Sequence, residues 1–300
     1  MQNDLYHVPV MLTEVIEGLK IQPSGIYVDC TFGGGGHALA ILSHLNDKGK
    51  LVVFDQDEAV RANIPKDDRL IFIAHNFRHL QRFLRLNKIF KVDGILADLG
   101  VSSHQFDVPD RGFSTRFEGL MDMRMDQKQE LTAATVLKTY SEEKLHKLFE
   151  RFGEVTNAKT LARTIVKERV KMPLSTMNQF RNALTGIIKG NPNKYLAQVF
   201  QALRIEVNDE LGSLSDMLEQ VPDILNQGGR ILIITFHSIE DRIVKNFFKS
   251  KDEVLQNDLF GTKQPNFFNI ITKKPITASD KERKLNSRAR SAKLRIAERI

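Results

Sequence analysis

The sequence predicts an α/β protein in which a parallel sheet is wound by helices and interrupted by an inserted all-helical domain. In the first hundred residues, short apolar runs typical of buried strands alternate with amphipathic stretches typical of helices. From 111 to 212, no strand-length apolar run occurs, and only helical patterns follow one another. We therefore expect one discontinuous domain, formed by residues 1–110 and 213–300, that carries a helical domain of residues 111–212.

Each element is predicted from its own pattern. Runs of aliphatic and β-branched residues predict strands at 26–28, 51–54, 70–74, 92–97 and 230–235. Helical periodicity predicts helices at 37–45, 57–64 and 77–86, and within the insertion at 141–152, 157–170, 175–188 and 193–207. The fifth strand is expected beside the fourth, because the insertion separates them only in sequence.

Composition limits the cellular setting. Three hundred residues provide ample material for a core, and the single cysteine, Cys30, excludes an internal disulfide and indicates a reducing compartment. The first residues have neither the basic region nor the apolar stretch of a signal peptide, and the longest apolar runs, such as 231–234, are too short to span a bilayer. We expect a cytoplasmic protein without a membrane partner.

Positive charge is concentrated in two segments. Residues 151–204 hold ten Lys or Arg against two acids, and residues 273–300 hold ten against three, whereas the whole chain has a net charge of +7. The rest of the chain is therefore acidic on balance. Such concentration is typical of a surface that binds a polyanion, although solvated helix faces are the alternative.

Four consecutive glycines, Gly33 to Gly36, separate the first strand from an apolar helix. Glycines let a backbone approach a ligand where a Cβ would collide, so the turn predicts a nucleotide-type pocket. Asp29 precedes the glycines, where a carboxylate repels a pyrophosphate but suits a cationic ligand. Asp55 ends the second strand, 20 residues after Gly35, and suits a ribose diol. These features favour S-adenosylmethionine over a dinucleotide or a purely structural turn.

Other polar residues follow the predicted strands. Ligands of open parallel sheets bind at the carboxyl ends of the strands. That edge carries the turn 74–77, the segment 98–105 and His237, so Asp98 and His237 are expected on one rim. For His237, a structural hydrogen-bonded role and a role in a pocket both stay open.

Eight collinear blocks of the chain carry a family resemblance. They read DCTFGGGGH at 29–37, DLGVSSHQ at 98–105, RGFS at 111–114, DMRMD at 122–126, FQALRI at 200–205, VNDEL at 207–211, FHSIEDR at 236–242 and RARSAKLR at 288–295. Together they resemble the bacterial 16S ribosomal RNA (cytosine-N(4))-methyltransferase family, RsmH or MraW, from His7 to Glu298. Cys30 stands where that family usually has glycine, and His104 where it usually has proline.

The resemblance implies a doubly wound, Rossmann-like fold and methylation of the exocyclic N(4) amine of a cytidine in the decoding region of 16S ribosomal RNA. It implies S-adenosylmethionine as methyl donor, no metal, and cofactor contacts at Gly35, Gly36, His37, Asp55, Phe77, Asp98 and Gln105. The partner is small-subunit ribosomal RNA in an assembled or late-assembling 30S subunit, with the helical insertion as substrate-recognition domain. The oligomeric state stays open, a homodimer included.

The chemistry of that reaction suggests catalytic candidates. Cytosine N(4) is a poor nucleophile because its lone pair is delocalised into the ring, so the site must orient the amine and accept hydrogen bonds from it. Asp98, Ser102 and Ser103 are candidates for positioning, and His237 for a pocket wall or proton acceptor. No strong base is needed, because the methylated nitrogen readily loses its proton. The target base must also leave its stack.

Competing functions make different demands on the sequence. A DNA amino-methyltransferase would ordinarily show Pro-Pro-Tyr after the acid at strand four, where this chain has Leu99-Gly100. A nicotinamide oxidoreductase fits the glycines but not the acids. A non-catalytic RNA-binding module would need only the basic surfaces.

Two features of the insertion have alternative interpretations. Met121, Met123 and Met125 alternate with charged residues, as either a lip over the cofactor or packing of the insertion onto the sheet. Arg204 shares a polar helix face with Gln201 and Asn208, and holds either a phosphate or a neighbouring acid.

Overall fold

The computed structural model describes residues 9–249 and 267–300, which form two compact units. The first unit consists of the chain up to Gly100 and from Gly212 onward, and the second consists of Val101–Leu211. The first contains a sheet and its helices, whereas the second is almost entirely helical.

The strands are β1 (Ile26–Asp29), β2 (Lys50–Phe54), β3 (Leu70–Ile73), β4 (Val92–Asp98), β5 (Leu225–Thr235), β6 (Phe268–Ile270), β7 (Ile276–Thr277) and β8 (Lys293–Arg299). The α-helices are α1 (Leu12–Leu19), α2 (Gly36–Ser43), α3 (Leu80–Leu86), α4 (Ser103–Asp107), α5 (Ala133–Thr139), α6 (Glu142–Gly153), α7 (Ala158–Glu168), α8 (Met177–Leu184), α9 (Pro192–Asn208), α10 (Glu210–Ile224), α11 (Ser238–Lys249) and α12 (Asp280–Leu285). Short 3-10 helices lie at Glu58–Asn63, Phe77–His79, Pro109–Arg111 and Ser287–Arg290.

The sheet has the strand order β3-β2-β1-β4-β5-β8-β6, with β7 also paired to β8. Strands β1 to β5 pair with one another in parallel, and β8 is antiparallel to β5, β6 and β7. The order reverses between β1 and β4, where the chain first builds the sheet toward β3 and then toward β5. Such a reversal opens a crevice at the carboxyl ends of the two central strands.

Both faces of the sheet are covered. Alternate side chains of each central strand enter opposite cores, so that Val28 packs in one core and Tyr27 in the other. One core includes Leu214 and Val244 from α10 and α11, and the other includes Val15 from α1. The predicted doubly wound α/β fold is confirmed by this arrangement.

The second unit has a core of its own. In the part of the chain that the structure describes, the buried residues of this core lie between 113 and 207, and Leu145, Leu161 and Phe180 are fully buried in it. Ser141 caps α6 and Thr176 caps α8 through side-chain oxygens that accept backbone N–H bonds. The four predicted helices of the insertion correspond to α6, α7, α8 and α9.

The methionine stripe lies inside this helical core. Met121, Met123 and Met125 are all buried there, so they pack against apolar residues of the helical unit itself. The charged residues between them pair locally, with Arg124 donating to both oxygens of Asp122 at 2.9 and 2.8 Å.

Some elements differ from the sequence prediction. The five predicted strands all occur, but β5 begins at Leu225, and its register against β4 shifts between Val92 and Gly94. The stretch predicted as a helix at 57–64 forms a 3-10 helix. In the part of the chain that the structure describes, no helix has both the length and the apolarity that crossing a membrane requires.

Candidate functional site

The glycine-rich turn follows β1 at the carboxyl edge of the sheet. Gly33 has φ +51° and Gly35 has φ +79°, a region that favours glycine. The Gly33 N–H donates to Asp55 Oδ2 at 2.8 Å, which ties the turn to the end of β2. A Cβ on Gly35 would lie 2.9 Å from the Phe32 ring, so this glycine is required by the turn's own packing as well as its φ angle.

Gly34 and Gly36 have different steric surroundings. A Cβ on Gly36 would collide with the Pro9 ring, whereas one on Gly34 would meet no described atom within 4 Å. Gly36 begins α2, and no side chain among the described residues caps that helix end. Because the first N–H groups of a helix have no intrahelical acceptor, the start of α2 favours an anionic group.

His37 is buried in the first turn of α2. Its Nε2 lies 3.0 Å from the Val10 carbonyl oxygen, and burial lowers its pKa to about 4. The imidazole is therefore neutral near pH 7, and Nε2 carries the proton because a carbonyl only accepts. Nδ1 is left as an acceptor and lies 3.8 Å from Asp98 Oδ2.

Two carboxyl groups flank the point where the strand order reverses. Asp29 ends β1 and is 1% exposed, while the Asp98 side chain ends β4 and is 24% exposed. Thr31 joins them: its hydroxyl accepts from the Asp98 N–H at 2.8 Å and lies 3.4 Å from Asp29 Oδ1, which also accepts the Thr31 N–H at 3.0 Å. Within the described residues, Asp29 Oδ2 and Asp98 Oδ1 are buried without a hydrogen-bond partner.

The pKa values of both acids are raised above the ordinary range of a carboxyl group. Burial, followed by the nearby Asp29 charge, raises the pKa of Asp98 to about 8, although Arg288 opposes the rise. Burial likewise raises the pKa of Asp29 to about 7, with the bond from the Thr31 N–H opposing it. A cationic group with N–H donors would satisfy both oxygens and favour their ionised forms.

The buried pair should make stability depend on pH. An unfolded aspartate titrates near 3.8 and the folded Asp29 near 7, so between these values the folded state retains a proton that the unfolded state has lost. The free energy of unfolding then falls as pH rises, by up to about 1.4 kcal/mol per pH unit per proton.

We expect Asp29→Asn to make this dependence of the unfolding free energy on pH shallower by roughly 1 kcal/mol per pH unit, from about pH 5 to about pH 7. Urea unfolding measures it, with exposed Asp68→Asn as control; a slope like that of the wild type would contradict the buried proton.

Asp55 and Phe77 lie at the ends of β2 and β3. Both Asp55 oxygens accept backbone N–H bonds, Oδ2 from Gly33 and Oδ1 from Asp57 at 2.9 Å, which fixes the carboxylate's orientation. Phe77 begins a 3-10 helix capped by the Asn76 side chain and is half-buried against the core. These contacts place an acid and an aromatic ring along the same edge of the sheet.

His237 follows β5 and lies beside a buried acid, Glu240. Its side chain is 7% exposed, and its Nδ1 accepts the Glu240 N–H at 3.4 Å. Nε2 lies 3.1 Å from Glu240 Oε1 but is buried without a hydrogen-bond partner among the described residues. Glu240 Oε2 accepts the Phe236 N–H at 2.9 Å, so the turn after β5 is fixed at both residues. The predicted neighbourhood of strands four and five is confirmed, since Asp98 is in register with Ile234.

The remaining predicted residues belong to the helical unit. Ser102 and Gln105 form the capping box of α4: Ser102 Oγ accepts the Gln105 N–H at 3.2 Å, and Gln105 Oε1 accepts the Ser102 N–H at 3.0 Å. Ser103 is the first residue of α4, and its side chain lies outside the described part of the structure.

Sequence reasoning missed Thr31 and Glu240 as site residues. Both stand inside the quoted motifs, but a threonine beside an aspartate and an acid in a helix's first turn are also typical of ordinary capping. Only the structure shows Thr31 bridging two carboxyl segments and Glu240 buried beside His237.

Several basic side chains turn out to be structural. Arg204 pairs with Glu210 at 2.8 and 3.0 Å, so the salt-bridge alternative is confirmed. Arg169 donates to two backbone carbonyls, and Arg295, within β8, donates to Asp241 at 2.6 and 3.1 Å. Exposed cations in the helical unit include Arg151, Lys159, Lys167 and Lys194.

Comparison with known proteins gives a consistent picture. The model of the MraW methylase family matches residues 4–300. A protein of Cytophaga hutchinsonii named ribosomal RNA small subunit methyltransferase H is 50% identical over 98% of this chain and 100% of its own length. A protein of the same name from Flavobacterium johnsoniae is 50% identical over 98% of both chains. Among solved structures, an rRNA methylase from Streptococcus thermophilus aligns over 99% of both chains, but at 12% identity and a TM-score of 0.42 this likeness is too weak to inform function.

Proposed function

The chain belongs to the MraW methylase family, and on that premise we propose that it transfers a methyl group from S-adenosylmethionine to the N(4) amine of a cytidine in the decoding region of 16S ribosomal RNA. The observation that carries the proposal is the pair of unpartnered buried oxygens, Asp29 Oδ2 and Asp98 Oδ1, beside the glycine turn. Relatives about 50% identical along the whole chain are named as methyltransferases of small-subunit ribosomal RNA.

The donor set suits each part of S-adenosylmethionine. Its ammonium group would supply the hydrogen-bond donors that the Asp29 and Asp98 oxygens lack, and the start of α2 at Gly36 and His37 would receive its carboxylate. Asp55 would accept hydrogen bonds from the ribose, as the second-strand acid of such folds does. Phe77 would pack against the adenine. From the helical unit, Gln105 is proposed as a further cofactor contact on the strength of the family resemblance, as are the backbones of Gly35 and Gly36.

When bound, this cofactor supplies an electrophilic methyl group on a sulfonium. The protein's task is to orient the weakly nucleophilic amine and accept its N–H hydrogen bonds. Asp98 is proposed for that task, since its side chain is partly exposed at the end of β4 and its backbone N–H is held by Thr31. Its carboxylate form would take the proton that the methylated nitrogen loses. Ser102 and Ser103 are proposed as positioning residues, and His237, which lies beside the buried Glu240, as a wall of the pocket.

The proposed substrate is the RNA within a small ribosomal subunit. The target base must leave its stack to reach the methyl group, and an unpaired loop nucleotide costs less to extrude than a paired one. The helical unit is proposed to recognise it through the exposed cations of α6, α7 and α9. Phosphate neutralisation by such side chains gives a strongly salt-dependent affinity.

The product distinguishes this function from its alternatives. We expect small subunits from a strain that lacks the gene to gain one methyl group on cytidine when incubated with the protein and S-adenosylmethionine. Nucleoside mass spectrometry after digestion would identify N(4)-methylcytidine against the isomeric ring-methylated and ribose-methylated standards. Reactions with Asp98→Ala protein, and with naked 16S RNA, are the controls. Methylation of another base, or none with an active cofactor site, would overturn the proposal.

A further inference from the structure

A small cavity lies on the sheet unit between α11 and the strands β6 and β8. Its volume is about 270 Å³, and its floor is formed by Phe248, which is 2% exposed, and by Ile270. Lys245, Lys249 and Lys273, which are all exposed, also line it. The cavity is smaller than a typical drug-sized pocket but has room for a phosphate group with part of its sugar.

The charge of this cavity is unbalanced. Arg295 also lines it but is neutralised by Asp241 on α11, which lies 3.6 Å from Lys293 as well. Across residues 9–249 and 267–300, no carboxylate lies within 4 Å of the ammonium groups of Lys245, Lys249 or Lys273. Three like charges around one cavity repel one another, and an anion among them removes that cost.

The cavity is also close to the rim that carries His237. Lys293 is in register with Thr235 at the carboxyl end of β5, and Arg295 is two residues further along β8. At a rise of roughly 3.3 Å per residue, the cavity begins about 7 Å from that rim. We infer that the Lys245, Lys249 and Lys273 cavity binds a backbone phosphate of the RNA near the target nucleotide. This inference rests on the proposed function, and a free phosphorylated small molecule is the other source of the same chemistry.

Charge reversal tests the cavity. The double variant Lys249→Glu/Lys273→Glu is compared with Lys48→Glu/Lys66→Glu, which makes the same charge change at exposed lysines of the same unit. Binding of small ribosomal subunits is measured from low to moderate salt. We expect the cavity variant to lose about tenfold or more in affinity, and its log-log salt slope to become shallower by roughly 1.4 to 1.8, as expected for two lost phosphate contacts. The conservative Lys249→Arg/Lys273→Arg variant should bind like the wild type.

Two further arms separate the explanations. Pyrophosphate is titrated into the wild type and into the cavity variant. If only the wild type binds pyrophosphate, while the RNA affinity and the salt slope are equal in both proteins, the site serves a small molecule and the inference is overturned. RNA binding that changes equally in the cavity and control variants would also overturn it. Methyl transfer by the wild type is assayed in parallel, and absence of methylcytidine counts against the proposed function. Normal methylation by the wild type, together with a salt slope of RNA binding that is unchanged in the cavity variant, counts against the cavity alone.

Discussion

Asp98→Ala is expected to slow methyl transfer at least about tenfold, which corresponds to about 1.4 kcal/mol in the activation barrier. The alanine removes the carboxyl group at the end of β4, whose Oδ1 is buried without a partner in the described part of the chain, while the backbone bond to Thr31 is retained. Single-turnover rates at saturating cofactor, measured on small ribosomal subunits, report the transfer step directly. Calorimetric cofactor affinity, measured on the same variant, separates orientation of the amine from binding of the cofactor.

Two companion variants sharpen this result. Asp98→Asn keeps the size and the hydrogen bonding of the protonated acid, so a rate near that of the wild type would show that the carboxylate is not needed. His237→Ala is expected to reduce turnover more than cofactor affinity, because the histidine belongs to the turn after β5 rather than to the glycine turn. If His237→Ala turned over as fast as the wild type, its role would be structural only, and unaltered rates in Asp98→Ala would remove Asp98 from the mechanism.

Asp55→Ala is expected to weaken S-adenosylmethionine binding by roughly 1 to 3 kcal/mol, the range for removing a charged hydrogen-bond partner. This corresponds to about 5-fold to 150-fold in the dissociation constant. The substitution also removes the acceptor of the Gly33 N–H, so the turn loses an anchor at the same time. Isothermal titration calorimetry measures the change.

A matched control tests whether charge alone is responsible. Asp68→Ala removes one exposed acid from the same unit and should leave cofactor affinity unchanged. Asp55→Asn retains an acceptor for Gly33 but loses the charge, and is expected to fall between alanine and the wild type. Equal affinities for Asp55→Ala and the wild type, with both proteins folded by circular dichroism, would remove Asp55 from the cofactor site.

Periodicity and strand chemistry predicted the parallel half of the sheet and the main helices of the insertion. These elements bury continuous apolar faces, so their patterns are strong. The antiparallel strand β8 was missed, because its sequence alternates basic side chains with apolar ones and resembles a charged tail. In the fold, Leu294 and Ile296 are buried and Arg295 is satisfied by Asp241. Part of the carboxyl-terminal positive charge is therefore structural, which composition cannot show.

The site was predictable to the level of which acids stand at strand ends. Asp29, Asp55 and Asp98 follow strands whose order is set by the fold, so the sequence predicts their common edge. The raised pKa values of Asp29 and Asp98 were not predictable, since they come first from burial. The structure adds a reason for two of the glycines that the sequence does not show, because a Cβ on Gly35 or Gly36 would collide with Phe32 or Pro9.

The insertion of a helical unit between β4 and β5 has a consequence for folding kinetics. Asp98 and Ile234 are adjacent in register yet 136 positions apart (234 − 98), so their pairing closes a very long loop. Closing such a loop from an open chain costs more conformational entropy than closing a short one, by about 0.6 kcal/mol per doubling of length. Among the described residues, the core of the helical unit is built from that unit's own side chains, so it can form first and shorten the effective loop. Early collapse of the insertion would then set the rate at which the two central strands find each other.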